Sequence, residues 1–347
     1  MKVLILGPIV NNILSGGVGV FDEGLYKGFK DLGDDVKLVS CAKSNKIDNI
    51  FLGKPSNKKI SIYFSFGKIA RLIKKEKPDL VISSVEYSVG IKKYKRASKQ
   101  TTFVQVLHGV AWPINGKIKA YLVNKVAKLS RRYFDKVVTV SYLSHALNIQ
   151  YNGIVCDKVI HNGSDLTPYL GRENRKYDFV YIGRLFKDKQ IQLLKDAFVL
   201  AKEKKPDLKL AIAGFGELSY LFDDSKFKQS GIEFLGKINH NAVHELYRNT
   251  KCFISLHPTE TFGTVFNEAI LNGCNIVTQS TSGIAPLYFD SGYFHISDCT
   301  TAKELSERMI EIIEKEYKPV SAEYIKRMTD YLSYKRVAKE YKELIKQ

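Results

Sequence analysis

Long apolar runs are absent from this sequence. A membrane-spanning helix needs about 20 consecutive apolar residues, and no uninterrupted run in the 347 residues approaches that length. The opening segment MKVLILGPIV has one Lys and a short apolar run that ends at Gly7 and Pro8, which is too short for a secretory signal. We therefore expect a cytoplasmic protein that is neither secreted through a cleaved signal nor membrane-spanning.

Cysteine is scarce, and its spacing fits neither a disulfide framework nor a thiolate metal site. No CxxC pair occurs among the five, which are Cys41, Cys156, Cys252, Cys274 and Cys299. We expect them to be reduced, small hydrophobic residues. His240 and His244 are four positions apart and can share a helix face, but no acidic residue or third histidine completes a ligand set. We therefore expect no metal and no other cofactor.

Acidic residues are scarce in the first half of the chain. Residues 1–165 contain 27 Lys and Arg against 12 Asp and Glu, whereas residues 166–347 contain 27 against 24. A positive field of this kind can attract nucleic acid, an anionic membrane surface or a phosphorylated substrate. No RNA-binding, helix-turn-helix or zinc-finger signature accompanies it, so a nucleic-acid-binding protein is the disfavoured alternative.

Short runs rich in Val, Ile and Leu alternate with helix-length segments along the chain. Such runs are typical of parallel sheets covered on both faces. The runs are KVLIL (2–6), VKLVSC (36–41), DLVISS (79–84), TTFVQVL (101–107), KVVTVS (136–141) and KVIHNG (158–163), then DFVYIG (178–183), LKLAIAG (208–214), IEFLG (232–236), CFISLH (252–257), NIVTQS (275–280) and YFHIS (293–297). The polar stretch 166–177 separates the two sets. This pattern predicts an α/β fold of two Rossmann-like, doubly wound domains facing a cleft.

Two glycine- or histidine-containing motifs follow strands in the first half. In SGGVG, the residues Gly16, Gly17 and Gly19 precede a helical pattern, where backbone N–H groups can approach a phosphate. The spacing differs from GxGxxG, and such a turn is often only a turn. In LHGV, His108 ends a strand that faces the predicted cleft, although a lone histidine is more often a satisfied polar residue.

Three motifs follow strands in the second half. IGRLFKDKQ places Arg184 and Lys189 where two cations can hold a diphosphate, with Lys187 as a competitor for that role and a solvated surface as the alternative. AGFGE and FLGK bring Gly214, Phe215 and Leu235 to positions that suit the close approach of a flat base. Each of the last two motifs, taken alone, equally fits a plain loop.

HPTETFGTVFNEAILNG places two carboxylates on either side of a turn that begins a helix. A glycosidase acid and base pair is disfavoured because a phosphate-receptive helix start lies between them. The structural alternative makes Glu260 a helix-start carboxylate and Glu268 a solvated residue. The third interpretation is a nucleotide-sugar with its hexose at Glu260, its ribose at Glu268 and its diphosphate at the helix start, formed by Phe262, Gly263, Thr264 and Val265.

The segment KIKAYLVNKVAKLSRRYFDK (117–136) is strongly basic and has apolar residues at helical spacing: Ile118, Leu122, Val126, Leu129 and Tyr133. The pattern fits a helix that lies on an anionic bilayer. It equally fits a core-packing helix with a solvated basic face. A further apolar stripe in the charged tail, from about residue 322, predicts C-terminal helices.

Taken in order, SGGVG, LHGV, VIHNGSD, IGRLFKDK, AGFGE, FLGK and ETFGTVFNE resemble the retaining GT-B glycosyltransferases of family 4. The resemblance implies that Gly17 and nearby backbone meet the donor diphosphate, that Arg184 and Lys189 clamp it, and that His108 touches the sugar. It implies in addition that Glu260 orients the transferred sugar and Glu268 binds ribose. Transfer with retention and without metal is implied too.

The sequence departs from the family pattern at three places. Gln190 stands where the family often has Gly, Asn275 replaces the usual Pro, and SGIAPL lacks the Glu of GGxxE. These departures affect which sugar is held more than whether a diphosphate is held.

The resulting hypothesis is a peripheral-membrane hexosyltransferase on the inner face of the cytoplasmic membrane. It would use a nucleotide diphosphate sugar, with uridine as the expected base, and a lipid-linked or saccharide acceptor of bacterial capsule or lipopolysaccharide assembly. Residues 1–165 with the helix 328–347 would bind the acceptor and the anionic membrane surface, and residues 166–327 would bind the donor. A nucleotide-sugar 2-epimerase of GT-B-like fold is the alternative enzyme.

Overall fold

A computed structural model describes residues 1–9, 17–44, 47–53, 62, 64–111, 117–164, 168–169, 174–222, 231–288 and 291–345. The chain forms two compact units. The N-terminal unit comprises Met1–Asp165 and Tyr331–Gln347, and the C-terminal unit comprises Leu166–Asp330. The chain returns to the N-terminal unit at Tyr331, slightly later than the predicted boundary at Met328.

The N-terminal unit is built on a parallel sheet. Among its described residues, seven strands lie in the order β3-β2-β1-β4-β5-β6-β7. They are β1 (Lys2–Leu6), β2 (Asp35–Ser40), β3 (Ile50–Phe51), β4 (Leu80–Ser84), β5 (Thr102–Leu107), β6 (Lys136–Thr139) and β7 (Lys158–Val159). The helices are α1 (Gly17–Asp31), α2 (Phe66–Glu76), α3 (Ile91–Ala97), α4 (Lys117–Arg131) and α5 (Tyr142–Asn152), with a 3-10 helix at Val85–Gly90. Strand β3 was not predicted because two residues leave no periodic pattern.

The C-terminal unit repeats this architecture. Its described residues form six parallel strands in the order β10-β9-β8-β11-β12-β13. They are β8 (Tyr177–Ile182), β9 (Leu210–Ala213), β10 (Ile232–Gly236), β11 (Thr250–Ser255), β12 (Asn275–Thr278) and β13 (Phe294–Ile296). The helices are α6 (Ile191–Lys204), α7 (His240–Arg248), α8 (Thr264–Leu271), α9 (Ala285–Tyr288), α10 (Ala302–Glu311) and α11 (Ala322–Tyr331), and α10 continues into a π-helix at Ile312–Glu316.

Both sheets are buried on their two faces, as parallel sheets covered by helices require. All four residues Val3, Leu4, Ile5 and Leu6 of β1 are inaccessible to solvent. In the C-terminal unit, Phe179 and Tyr181 of β8 pack into a core with α6 and α10. The prediction of two doubly wound α/β domains is confirmed.

Each sheet has a point where the strand order reverses. In the N-terminal unit the chain runs outward from β1 through β2 and β3, then returns to place β4 on the other side of β1. In the C-terminal unit it runs outward from β8 through β9 and β10, then returns to place β11 beside β8. In open parallel sheets, ligands bind beyond the carboxyl ends of the strands at such a reversal of strand order.

The chain ends on helix α12 (Tyr334–Glu343), which packs against α1. Glycines on α1 permit the close approach, since a Cβ at Gly28 would lie 2.2 Å from the carbonyl oxygen of Tyr334. The predicted single helix over 328–347 is wrong in detail: α11 ends at Tyr331, and Ser333 begins α12 by accepting a hydrogen bond from the N–H of Arg336. Val337, Tyr341 and Leu344 belong to the apolar stripe predicted in the tail, and all three are buried.

Candidate active site

The loop after β8 carries the two predicted diphosphate-binding cations. The hydroxyl of Tyr181 donates to the carbonyl oxygen of Arg184 at 2.8 Å, which fixes the loop where it leaves the strand. The guanidinium of Arg184 lies 5.2 Å from the ring centroid of Phe186. A single 3-10 turn at Lys187–Lys189 then leads into α6. The loop therefore holds Arg184 and Lys189 at the carboxyl end of a central strand.

The backbone conformation at Gln190 explains why the family often has glycine at this position. Its φ of 54° and ψ of 36° place it in the left-handed region, which glycine adopts without penalty and other residues adopt at a cost of about 1 kcal/mol. The family's usual glycine therefore fits this backbone, and Gln190 keeps the same conformation.

Lys189, which follows β8, and Glu260, which follows the neighbouring strand β11, form an ion pair. The Nζ of Lys189 lies 2.9 Å from Oε2 of Glu260, and the two side chains are 14% and 23% exposed. Two residues that the sequence assigned to different parts of one ligand thus contact each other. A diphosphate that binds Lys189 would take that cation from Glu260 and leave the carboxylate free to accept from sugar hydroxyls.

A hydrogen bond between His257 and Asp188 also joins the loops after β8 and β11, and it was not predicted from the sequence. The Nδ1 of His257 accepts from the N–H of Thr259 at 3.0 Å, so Nε2 carries the proton that faces Asp188 Oδ2 at 3.2 Å. Burial, and then the charge of Lys189, lower the pKa of His257 below its ordinary value. The position of His257 after β11 is the signal that could have identified it as a residue positioning the loop.

The loops after β8 and β9 touch through their backbones. Gly214 has a φ of 148°, and a Cβ there would lie 1.8 Å from the carbonyl oxygen of Gly183. The close contact with Gly183 therefore requires glycine at position 214, independently of the predicted contact with a base. The adjacent Phe215 ring is 57% exposed, with Lys237 Nζ 5.4 Å from its centroid. Leu235 of β10 is partly exposed.

Helix α8 begins between the two glutamates. Its N-cap is Gly263, in extended conformation, and no described side chain caps it. Helix starts leave N–H groups without intrahelical partners, and they favour an anion. Phe262 is buried, whereas Thr264 and Val265 open the helix. The structure therefore places the predicted phosphate-binding turn beside the Lys189–Glu260 pair.

Glu268 lies one turn inside α8, as the spacing predicted. Burial raises the pKa of its carboxyl to about 7 and is the sole cause of the shift. No side chain among the described residues donates a hydrogen bond to it. Glu268 is half-buried, so its carboxyl is open to hydroxyl donors of a ligand as well as to water.

In the N-terminal unit, His108 follows β5 directly. Its ring meets the ring of Phe21 edge-on, with centroids 5.0 Å apart. Burial lowers the pKa of His108 to about 4, so the imidazole is neutral at physiological pH. Gly17 is the first residue of α1 and Gly19 is buried within it, while Gly16 lies outside the described residues. The phosphate contact of these glycines stays a prediction.

Helix α4 presents its large apolar side chains outward. Ile118 is 78% exposed and Leu122 54% exposed, and Tyr121, Val123, Val126 and Leu129 are exposed too. The residues turned inward are small or polar: Ala120, Asn124, Ala127 and Ser130. The interpretation in which the apolar stripe covers a core is wrong for Ile118, Leu122, Val126 and Leu129, whereas Tyr133, beyond the end of α4, packs against the core of the N-terminal unit.

Within the described part of the chain, no three His, Cys, Asp or Glu side chains gather as a metal site. The expected independence from metal stays a prediction. All five cysteines have free thiols. Of the helices in the described ranges, none has the length and apolarity to span a bilayer.

Two family models match the sequence. The model described as "Glycosyltransferase Family 4" matches residues 15–167, and the model described as "Glycosyl transferases group 1" matches residues 167–331. The first therefore covers most of the N-terminal unit, and the second covers the C-terminal unit.

Curated proteins similar to the chain include two enzymes of lipid glycosylation. A phosphatidylinositol N-acetylglucosaminyltransferase component of Homo sapiens is 25% identical over 177 residues, covering 48% of this chain. The chain spans only 36% of the length of that relative. The alpha-monoglucosyldiacylglycerol synthase of Acholeplasma laidlawii is 20% identical over 315 residues, covering 78% of this chain and 77% of the relative.

Among solved structures, Anabaena Alr3699/HepE in complex with UDP and glucose has a TM-score of 0.74 and 17% identity, and the alignment covers 100% of this chain and 99% of that one. This likeness shows the GT-B fold. With the two family models together matching residues 15–331, the chain belongs to the GT4-type glycosyltransferases.

Proposed function

We propose that this protein transfers a hexose from a nucleoside diphosphate sugar, with UDP as the nucleotide, to a lipid-linked acceptor at an anionic membrane surface. The observation that carries the donor assignment is the Lys189–Glu260 contact at 2.9 Å beside the start of α8. It joins a cation for the diphosphate to a carboxylate for the sugar at the switch point of a Rossmann-like sheet. The Anabaena structure contains UDP and glucose, which supports a UDP-sugar.

The positive charges of the site account for departure of the diphosphate. As the bond from the sugar carbon to the diphosphate oxygen breaks, negative charge grows on that oxygen. Arg184, Lys189 and the N–H groups that begin α8 stabilise that charge. The acceptor hydroxyl then attacks the same face of the sugar and passes its proton to the leaving diphosphate, which gives retention. These groups together supply the charge that a metal ion would otherwise supply.

A lipid-linked acceptor is supported by helix α4. Its exposed apolar residues alternate with exposed cations, including Lys117, Lys125 and Lys128. Apolar surface surrounded by cations fits the boundary between acyl chains and anionic headgroups. Both curated relatives described above are named for lipids. Assembly of bacterial capsule or lipopolysaccharide is the setting we propose for such an acceptor.

Donor binding should tighten as pH rises through about 7, the pKa of Glu268 in the free protein. The ionised carboxylate accepts from both ribose hydroxyls, whereas the protonated acid has lost part of its accepting capacity. Affinity one unit below this pKa should be about tenfold weaker than one unit above it. Thermal shift with a panel of nucleoside diphosphate sugars measures this, since a saturating donor at about a hundredfold its Kd adds about 2.7 kcal/mol of stability.

Two glutamate-to-glutamine changes in the C-terminal unit test this assignment, the first at the site and the second as its matched control. Glu268→Gln should weaken donor binding and remove its pH dependence. Glu233→Gln, at an exposed carboxylate paired with Lys176, should behave like the wild type. If no member of the panel raises the melting temperature at either pH, the donor assignment is wrong.

A further inference from the structure

A chain of hydrogen bonds lies at the switch point of the N-terminal unit. The hydroxyl of Ser84, the last residue of β4, donates to Oδ1 of Asp22 in α1 at 2.9 Å. The Ser84 hydroxyl oxygen also lies 3.4 Å from Nε2 of His108, which follows β5. Asp22 and Ser84 are fully buried. Asp22 belongs to none of the segments singled out in the sequence, and Ser84 was noted only as the end of the strand run DLVISS (79–84).

The fold maintains Asp22 at a cost in stability. Its Oδ2 atom is buried and has no partner among the described residues. Burial raises the pKa of this carboxyl well above its ordinary range, and the charge of the neighbouring Glu23 adds to that shift. A carboxyl buried with a single hydrogen bond destabilises a fold. Packing alone would favour an apolar residue at this position.

Gly7 provides the space that Asp22 occupies. A Cβ at position 7 would lie 2.0 Å from Oδ2 of Asp22. Any larger residue at position 7 would displace the carboxyl or the strand end. Gly7 thus makes room for the carboxyl of Asp22, and Asp22 is linked through Ser84 to the imidazole of His108.

We propose that Asp22 and Ser84 are positioning residues that hold His108 in the tautomer with its proton on Nε2. A hydroxyl has one proton to donate, and that of Ser84 is directed at Oδ1 of Asp22, an atom that accepts it both when Asp22 is ionised and when the acid carries its proton on the unpartnered Oδ2. Toward His108 the Ser84 oxygen is therefore an acceptor, and Nε2 must donate. Nδ1 is then left as the acceptor nitrogen, able to receive a hydrogen bond from a substrate hydroxyl. This inference rests on the proposed function and on the contact between His108 and the transferred sugar that the family resemblance implies.

Nitrogen-15 NMR of the His108 ring at neutral pH tests the tautomer directly, because its two nitrogens differ in shift when one is protonated. The wild type should show the Nε2–H form. Asp22→Val removes the acceptor and releases the Ser84 proton toward Nε2, so the Nδ1–H form should appear. Ser84→Ala should give a mixture. Asp22→Asn, whose side-chain oxygen still accepts from Ser84, should restore the wild-type spectrum.

Kinetics and stability of the same variants separate positioning from structure. Asp22→Val and Ser84→Ala should lower kcat about 10²-fold with little change in KM for the donor. The melting temperature of Asp22→Val should equal or exceed that of the wild type, and Asp22→Asn should retain activity.

The same tautomer in the wild type, Asp22→Val and Ser84→Ala would overturn the proposal. The proposal would also be overturned if kcat and melting temperature fell together in both Asp22→Val and Asp22→Asn, because that result would show a purely structural role. If the wild type transfers no sugar at all, the proposed function fails, while the NMR comparison still decides whether Asp22 and Ser84 set the tautomer.

Discussion

Replacing Arg184 or Glu260 by alanine should lower kcat/KM for transfer about 10²- to 10³-fold, the usual loss when a preorganised charge-stabilising group is removed. Arg184→Ala removes a cation at the end of β8 that meets the departing diphosphate. Glu260→Ala removes the carboxylate that positions the sugar and the partner that holds Lys189 at 2.9 Å. Steady-state kinetics with saturating acceptor measure both losses.

The loss should be catalytic and not structural. A partly exposed ion pair contributes on the order of 1 kcal/mol or less to folding, so the melting temperature of Glu260→Ala should change little. Since Lys189 and Glu260 are in contact, the free-energy loss in kcat/KM of a Lys189→Ala/Glu260→Ala double variant should be smaller than the sum of the losses of Lys189→Ala and Glu260→Ala.

Lys176 and Glu233 provide the matched control. They form an ion pair at 2.7 Å in the same unit, with both side chains about half exposed. Alanine at either position should leave kcat/KM unchanged. Full activity in both Arg184→Ala and Glu260→Ala would contradict the site assignment.

The second large effect is expected at the membrane. Serine in place of Ile118 and Leu122 should reduce binding to anionic vesicles at least about tenfold for each side chain, because a buried aliphatic side chain is worth about 1.5–3 kcal/mol. Raising the salt concentration should weaken binding by the wild type too, since each cation near the surface contributes about 1 kcal/mol. Vesicle co-sedimentation with phosphatidylserine-containing and neutral vesicles measures both effects.

Tyr220 is the control for this experiment. It is 65% exposed in the C-terminal unit, and Tyr220→Ser should leave vesicle binding unchanged. Equal binding by the wild type and the Ile118/Leu122 variant would contradict the membrane assignment. A change of oligomeric state in the Ile118/Leu122 variant would also contradict it, because it would show that α4 contacts a second copy of this chain. Tighter binding of the wild type to duplex DNA than to vesicles would contradict it as well.

The sheets could be predicted from the sequence because their strands are buried on both faces and appear as continuous apolar runs. The runs at β1 and β8 mark central strands, and the motifs after them fall at the switch points that the topology creates. Strand β3 could not be predicted, since Ile50 and Phe51 are too few for a period.

The orientation of α4 could not be predicted for a different reason. Periodicity indicates which residues share a face, but not which face packs inward. The small residues Ala120 and Ala127 allow the helix to rest closely on the unit beneath, so the large apolar residues are left outside.

Pairwise contacts in the site depend on tertiary structure. The sequence predicted Lys189 and Glu260 as separate contacts to one ligand, and their direct ion pair becomes visible only when β8 and β11 are adjacent. Asp22 was not singled out from the sequence. Its burial against Gly7 and its bond to Ser84 depend on three separate segments meeting at the β1/β4 switch point.

The central claim is that this protein transfers a sugar with retention. It is tested most directly by proton NMR of a reaction containing a UDP-hexose labelled with carbon-13 at the anomeric carbon, with and without lipid acceptor. We predict that UDP is released only when acceptor is present and that the labelled carbon keeps the α configuration of the donor. A product of β configuration would contradict retention. Conversion of the donor to an epimer without acceptor would contradict transfer itself.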